Sequence, residues 1–162
     1  MAPGTGFALQ NRGALFSLER GHPNALAPRK RPLHTIIPAF MQKGDTRIAF
    51  GIMGGWNQSQ AHAQFVSDVV DFGMNIQAAL EAPRFTKSTF DGCDLFMETR
   101  VPEGVVKELQ SMGHAIKLAG PYSGRMGGGQ AVMSDADSVH FGASDPRKDG
   151  AAVPENPAFE NR

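Results

Sequence analysis

The stretch from Arg47 to Phe72 leaves this chain little conformational choice. An apolar run, Arg47 to Met53, ends in Gly54-Gly55, and an amphipathic pattern from Asn57 to Phe72 begins directly after it. The short apolar run reads as a strand. Ala61, Phe65, Val66, Val69 and Phe72 then fall on one face at helical spacing. The junction is therefore strand, tight turn, helix. Glycines let backbone N–H groups come close to a ligand, and a helix start adds unpaired N–H groups and a partial positive charge. A developing anion is well placed at such a point. On spacing alone, a turn kept small for packing is the favoured reading.

The flanking elements extend the same pattern. Gly6 to Leu9 reads as a short strand, and His22 to Pro28 as an extended loop, because residues before proline avoid the helical region. Leu33 to Met41 reads as a strand with Pro38 inside it, which suggests an edge or bulge. Lys43-Gly44-Asp45 turns it back into Arg47–Met53, so 33–53 is a β-hairpin. Gly73 closes the helix, Asn75 caps a second one over Ile76 to Ala82, and Pro83 stops it. Leu95 to Glu98 is a strand. Pro102 sits at the first position of a third helix, Glu103 to Met112, with Val105, Val106, Leu109 and Met112 inward and Gly113 at its end. Ala115–Leu118, Gly129–Met133 and Val139–Gly142 are short strands, and the tail from Lys148 is loose. The order ββααβαβββ predicts an α+β protein, with an antiparallel sheet carrying helices on a face.

Charge and composition exclude several classes. Lys plus Arg equals Asp plus Glu, 16 each, so neither a nucleic acid nor a membrane is an expected partner. Cys93 is the single cysteine, which rules out an internal disulfide, and no motif marks it as a nucleophile. No apolar run approaches the roughly 20 residues that span a bilayer. The first residues do not form a signal peptide, so a cytoplasmic location is expected. His22, His34, His62, His114 and His140 include no i,i+3 or i,i+4 pair, so no metal site is predicted, and His62 falls on the polar side of its helix. Arg125 to Gln130 is glycine-rich without the ending of a phosphate-binding loop and reads as a flexible connection. No cofactor motif is present. Ser144-Asp145-Pro146-Arg147 reads as a turn with a surface Asp–Arg pair.

Four blocks taken together carry a more specific signal. Arg31-Pro32-Leu33-His34-Thr35-Ile36-Ile37-Pro38, Gly51-Ile52-Met53-Gly54-Gly55, Asp71 to Phe85, and Gly142-Ala143-Ser144-Asp145-Pro146-Arg147 occur in this order. They resemble the small, C-terminal subunit of the gamma-glutamyltransferase (gamma-glutamyltranspeptidase) family. The resemblance covers about Gly6 to Gly150, so residues 1–150 are expected to be the C-terminal part of such a subunit and 151–162 a loose tail. It implies part of the αββα sandwich of an N-terminal-nucleophile hydrolase. In that family a threonine freed by self-cleavage attacks a gamma-glutamyl amide, its own α-amine can serve as general base, and the double glycine stabilises the tetrahedral intermediate. Carried over, the oxyanion donors are the N–H groups of Gly54 and Gly55.

This sequence departs from the family at three points. The family's threonine start precedes the segment matching Gly4-Thr5-Gly6, so the chain holds no nucleophile and Thr5 does not take that role. The serine pair that helps hold the substrate carboxylate is His34-Thr35 here. The acidic residue that grips the substrate α-amine falls within Gln10-Asn11-Arg12-Gly13-Ala14-Leu15-Phe16 and is replaced by Ala14 or Leu15, with Arg12 introduced. The resemblance therefore implies a substrate-binding set of Asn11, Arg12, His34 and Thr35, and a gamma-glutamyl or related small amide as the expected substrate. The expected partner is the missing N-terminal part or large subunit of the same enzyme, and the chain alone is expected to be inactive. The alternative is a non-catalytic remnant or interaction protein from a truncated or split gene.

Overall fold

The computed structural model describes residues 3–6, 8, 10–89, 91–92 and 94–153. Phe7, Leu9 and Cys93 therefore lie outside the described residues, as do 154–162, and with them half of the short strand expected at Gly6–Leu9. The chain divides into two units, Met1–Ile36 and Ile37–Arg162.

The first unit is mostly loop. A single 3₁₀ turn, Arg12–Leu15, follows Asn11. Asn24 organises the rest: its Nδ2 donates to the Leu15 carbonyl at 2.6 Å, and its Oδ1 accepts from the Leu33 N–H at 3.1 Å. These bonds add to a backbone bridge between Ser17 and Ala25, in which the Ser17 N–H donates to the Asn24 carbonyl and the Leu26 N–H to the Ser17 carbonyl.

The second unit holds two sheets. Strands β1 (Ala39–Lys43) and β2 (Thr46–Ile52) form the predicted hairpin around Gly44-Asp45. β1 starts after Pro38 instead of at Leu33, because a proline has no N–H to give the ladder. With β6 (Gly129–Ser134) and β7 (His140–Ser144) they make an antiparallel sheet in the order β1-β2-β6-β7. Helices α1 (Asn57–Val70) and α2 (Ile76–Glu81) cover one face. Ile48, Phe50, Ile52, Ala131 and Ala143 from the strands there meet Ala61, Phe65, Ile76, Ala79 and Leu80 from the helices. Burying a side chain of Phe or Leu size contributes roughly 1.5–3 kcal/mol, so this contact dominates the unit's stability. The Asn75 side chain accepts from the Ala78 N–H, as expected of its cap position.

The opposite face of the same sheet is largely exposed, with Ala152 packed over Gly142 at the β7 edge. Register aligns Phe40, Ala49, Val132 and Gly142 in one row across all four strands. Phe40 is 62% exposed and Val132 56%.

The second sheet is where the sequence reading fails. β3 (Phe85–Thr86), β4 (Asp94–Glu98) and β5 (Ala115–Ala119) lie in that order, with β4 and β5 parallel. Helix α3 (Glu103–Ser111) is the crossover between them. The expected single antiparallel sheet is thus two sheets, one of them mixed. Parallel neighbours need a long connection, and residues 99–114 supply it. Pro102 is the cap of α3, one place before the expected first position, and of the four expected inward residues only Val106 is buried.

Candidate active site

The site is built at the end of β2. Met53 follows the last strand residue, Gly54 and Gly55 have φ of 140° and 61°, and α1 begins at Asn57. A φ near 140° is open only to glycine. The Gly54 and Gly55 carbonyls accept from the Asn57 and Gln58 N–H groups, both at 3.1 Å, so these carbonyls point into the helix start. Among the described residues no acceptor meets the N–H of Gly54 or Gly55. Two consecutive N–H groups without a described acceptor thus lie beside the start of a 14-residue helix, whose end carries a partial positive charge.

A second glycine run supports the first. The Met53 N–H donates to the Gly128 carbonyl at 3.1 Å. A Cβ on Gly127, whose φ is 77°, would run into the Met53 carbonyl oxygen, and one on Gly129 would meet Leu80 and Ile52. Arg125 to Gln130 is therefore not a flexible connection. Met126, Gly127 and Gly129 are buried, and the glycines are small because two backbones touch.

Beneath this run lies an ion cluster. Arg147 grips Glu98 with two bonds, Nε to Oε1 at 2.8 Å and Nη2 to Oε2 at 2.6 Å. Arg84 Nη1 lies 2.7 Å from Asp145 Oδ2, and Arg147 Nη1 is 3.1 Å from Asp145 Oδ1. All four residues are buried. Their remaining valences go to the backbone: Leu80 and Ala82 carbonyls accept from Arg147, and Ser123 and Arg84 N–H groups donate to Glu98. Gly129 N–H donates to Asp145 Oδ2 at 3.1 Å. A continuous path thus runs from the ions through Gly129 and Gly128 to Met53. The expected surface Asp–Arg pair is instead an internal brace, because burial is feasible once every donor and acceptor is matched.

Burial alone would raise the Glu98 carboxyl, but the Arg147 fork and two backbone N–H groups outweigh it and hold it below the usual carboxylate range. Burial also acts to lower Arg147, and Glu98 and Asp145 reverse this and raise it. Arg84 is lowered by burial, with Arg147 adding to the effect.

His62 is a further correction. It lies on the buried side of α1, not the polar side, and its Nε2 accepts from the Ile52 N–H at 2.9 Å. It stacks edge-on against Phe50 at 5.3 Å. This fastens the last residue of β2 just before the glycine loop. Burial lowers the imidazole below its ordinary 6.5, and an accepting Nε2 needs the neutral ring. The folded state therefore binds this proton less well than the unfolded chain. Its stabilising contribution is present above pH 6.5 and is lost as pH falls through the lowered value. The urea midpoint is expected to drop between pH 7.5 and 5.5, and His62→Gln, which retains an acceptor, is expected to flatten that drop. An unchanged pH profile in the variant would contradict the assignment.

Asn57 is 6% exposed, and neither polar atom of its side chain finds a partner among the described residues. Its Nδ2 packs where a Cβ on Gly54 or Gly127 would sit. The remaining sequence-predicted residues belong to the first unit. Asn11 is exposed, and Arg12 opens the 3₁₀ turn half-buried with its N–H bound by the Gln10 side chain. His34 is exposed and Thr35 half-buried in the segment before β1. No group of three metal-ligating side chains occurs among the described residues, and no described helix is long and apolar enough to cross a membrane.

Comparisons with known proteins converge on one family. The gamma-glutamyltranspeptidase family matches over residues 1–155. The glutathione hydrolase-like YwrD proenzyme of Bacillus subtilis is 38% identical over 153 residues, covering 92% of this chain and 29% of that protein. The oxamate amidohydrolase proenzyme of Klebsiella pneumoniae is 35% identical over 155 residues, covering 93% and 29%. Among solved structures, a cephalosporin acylase from Bacillus halodurans superposes with a TM-score of 0.75 at 43% identity, covering 96% of this chain and 29% of the other. The chain spans less than a third of these relatives' length.

Proposed function

Since the chain belongs to the gamma-glutamyltranspeptidase family and has its N-terminal-nucleophile hydrolase fold in part, we propose that it supplies the oxyanion loop of an amide hydrolase or acyltransferase. The observation that carries this reading is the Gly54-Gly55 turn, with two open N–H groups at the start of α1. The nucleophile is a threonine on a segment outside these 162 residues. Its hydroxyl oxygen attacks the amide carbon, and the carbonyl electrons move to oxygen, where Gly54 and Gly55 donate to it. Collapse of the intermediate expels the amine and leaves an acyl-enzyme, which water or an acceptor amine then releases.

Asn11, Arg12, His34 and Thr35 are the residues that recognise the acyl group in this reading. Arg12, with Ala14 or Leu15 where the family has an acid, favours an acyl group with a carboxylate over one with a free α-amine. The relatives' names cover glutathione, oxamate and cephalosporin chemistry, which have amide or lactam-bearing acyl compounds in common. The open sheet face with Phe40 and Val132 is the surface that the completing polypeptide covers.

The purified chain is expected to release no chromophore from a gamma-glutamyl anilide. Co-purification with a threonine-led polypeptide, and turnover by that complex, would support the reading. Turnover by the chain alone would overturn it.

A further inference from the structure

A cavity of about 370 Å³ opens beside the glycine loop. Trp56, Ser59, Gln60, Lys87, Ser88 and Thr89 line it. Trp56 directly follows Gly55, so one wall continues the proposed oxyanion loop. Its indole is 79% exposed, which is unusual for a residue of this size beside a well-packed helix.

The opposite wall is held rigidly. Gln60 accepts from the Lys87 N–H at 2.9 Å and donates to the Lys87 carbonyl at 3.0 Å. One turn later Gln64 does the same to Phe85, both bonds at 3.0 Å. Four residues of helix rise about 6 Å and two residues of strand about 6.6 Å, so the two amides fit alternate residues of the strand edge. The wall therefore cannot collapse onto the indole.

The polar side chains of the wall are mostly engaged with one another. Lys87 Nζ donates to Asp94 Oδ1 at 2.9 Å and to the Asp91 and Gly92 carbonyls. The Thr89 hydroxyl donates to Asp94 Oδ1 at 2.8 Å. The lysine charge is matched, so the cavity does not select an anion. It offers an indole face, the methylenes of Lys87 and Gln60, and the neutral hydroxyls of Ser59 and Ser88.

We propose that this cavity is a subsite for a neutral aromatic group of the amide substrate, stacked on Trp56. Its size suits one ring with a short substituent, and an exposed indole is the side chain best suited to hold such a ring. Its assignment to the substrate rests on the oxyanion-loop reading, whereas its capacity to bind an aromatic amide does not.

Trp56 is the single tryptophan of the chain, so its emission reports on this cavity alone. The 162-residue chain is excited at the red edge of indole absorption and titrated with phenylacetamide, acetanilide and acetamide. The two aromatic amides are expected to change the emission saturably, and acetamide is not. Ser59→Leu and Ser88→Leu, which each add bulk to the cavity lining, are each expected to weaken that binding at least tenfold. Tighter binding of phenylacetamide places the ring on the acyl side, and tighter binding of acetanilide places it on the leaving group. Linear, unsaturable quenching, equal responses to all three amides, or indifference to both leucine variants would overturn the subsite. Binding by a chain whose complexes never turn over an amide would leave the subsite standing and remove the catalytic reading.

Discussion

Glu98→Ala is expected to destabilise the chain by about 3–5 kcal/mol, the range for breaking a buried ion pair and a large share of the roughly 5–15 kcal/mol that keeps a typical domain folded. Glu98 has no exposed surface, and it meets Arg147 through two bonds, Arg100 through one, and the N–H groups of Arg84 and Ser123. Its loss leaves Arg147 inside the protein with only Asp145 as a counter-charge. The check is a guanidinium unfolding curve for Glu98→Ala beside the double variant Glu98→Leu with Arg147→Leu. The double variant is expected to recover part of the loss, because a matched apolar pair has no charge to strand. A single-variant loss below about 1 kcal/mol, the size of a surface pair, would show that the cluster is solvated. The sign with pH follows. The depressed Glu98 carboxyl contributes stability above the ordinary carboxylate range, and that contribution disappears as acid protonates it in the fold.

Gly127→Ala is expected to lower kcat of the completed enzyme by about 10²–10³ with little change in KM, the effect of losing one oxyanion donor. The added methyl meets the Met53 carbonyl, which is backbone and cannot swing aside, at a φ of 77° that disfavours alanine in any case. Relief requires the Met53–Gly54 peptide to move, and the Gly54 N–H moves with it. An oxyanion donor acts on charge that develops only in the transition state, which is why kcat is the sensitive quantity. Gly104→Ala in α3 is the control: nothing lies within 4 Å of its added carbon and its φ is ordinary, so activity is expected to be unchanged. Equal activity of the two variants would show that the loop does not hold the oxyanion.

Local signals in the sequence proved reliable where one short segment decides the outcome. The β2–glycine–α1 junction, the Asn75 cap, the stop at Pro83 and the hairpin at Gly44-Asp45 all depend on residues within a few places of each other. His62 shows the limit of that reasoning. Its polarity argues for the polar side of α1, although its spacing from Phe65 and Val66 falls at the edge of the apolar arc. Only a neighbouring strand end with an N–H to give, at Ile52, makes the inward position favourable. Asp145 and Arg147 lie two residues apart and invite a surface pair. Their burial depends on Glu98, 49 residues from Arg147, at the end of an apolar strand that gives no sign of a partner.

The amino-acid sequence by itself determined the order of elements, the position of Gly54-Gly55 between a strand and a helix, and the family resemblance carried by four ordered blocks. These follow from backbone preferences and side-chain periodicity, which act over a few residues. The tertiary structure alone decided that β4 and β5 run parallel, that two arginines and two acids brace the loop from within, that Gly127 must be glycine, and that a cavity opens beside Trp56. Each of these depends on which distant backbones come to touch. Long-range contact is set by matching whole surfaces and completing hydrogen-bond networks, and no local pattern in the chain encodes it.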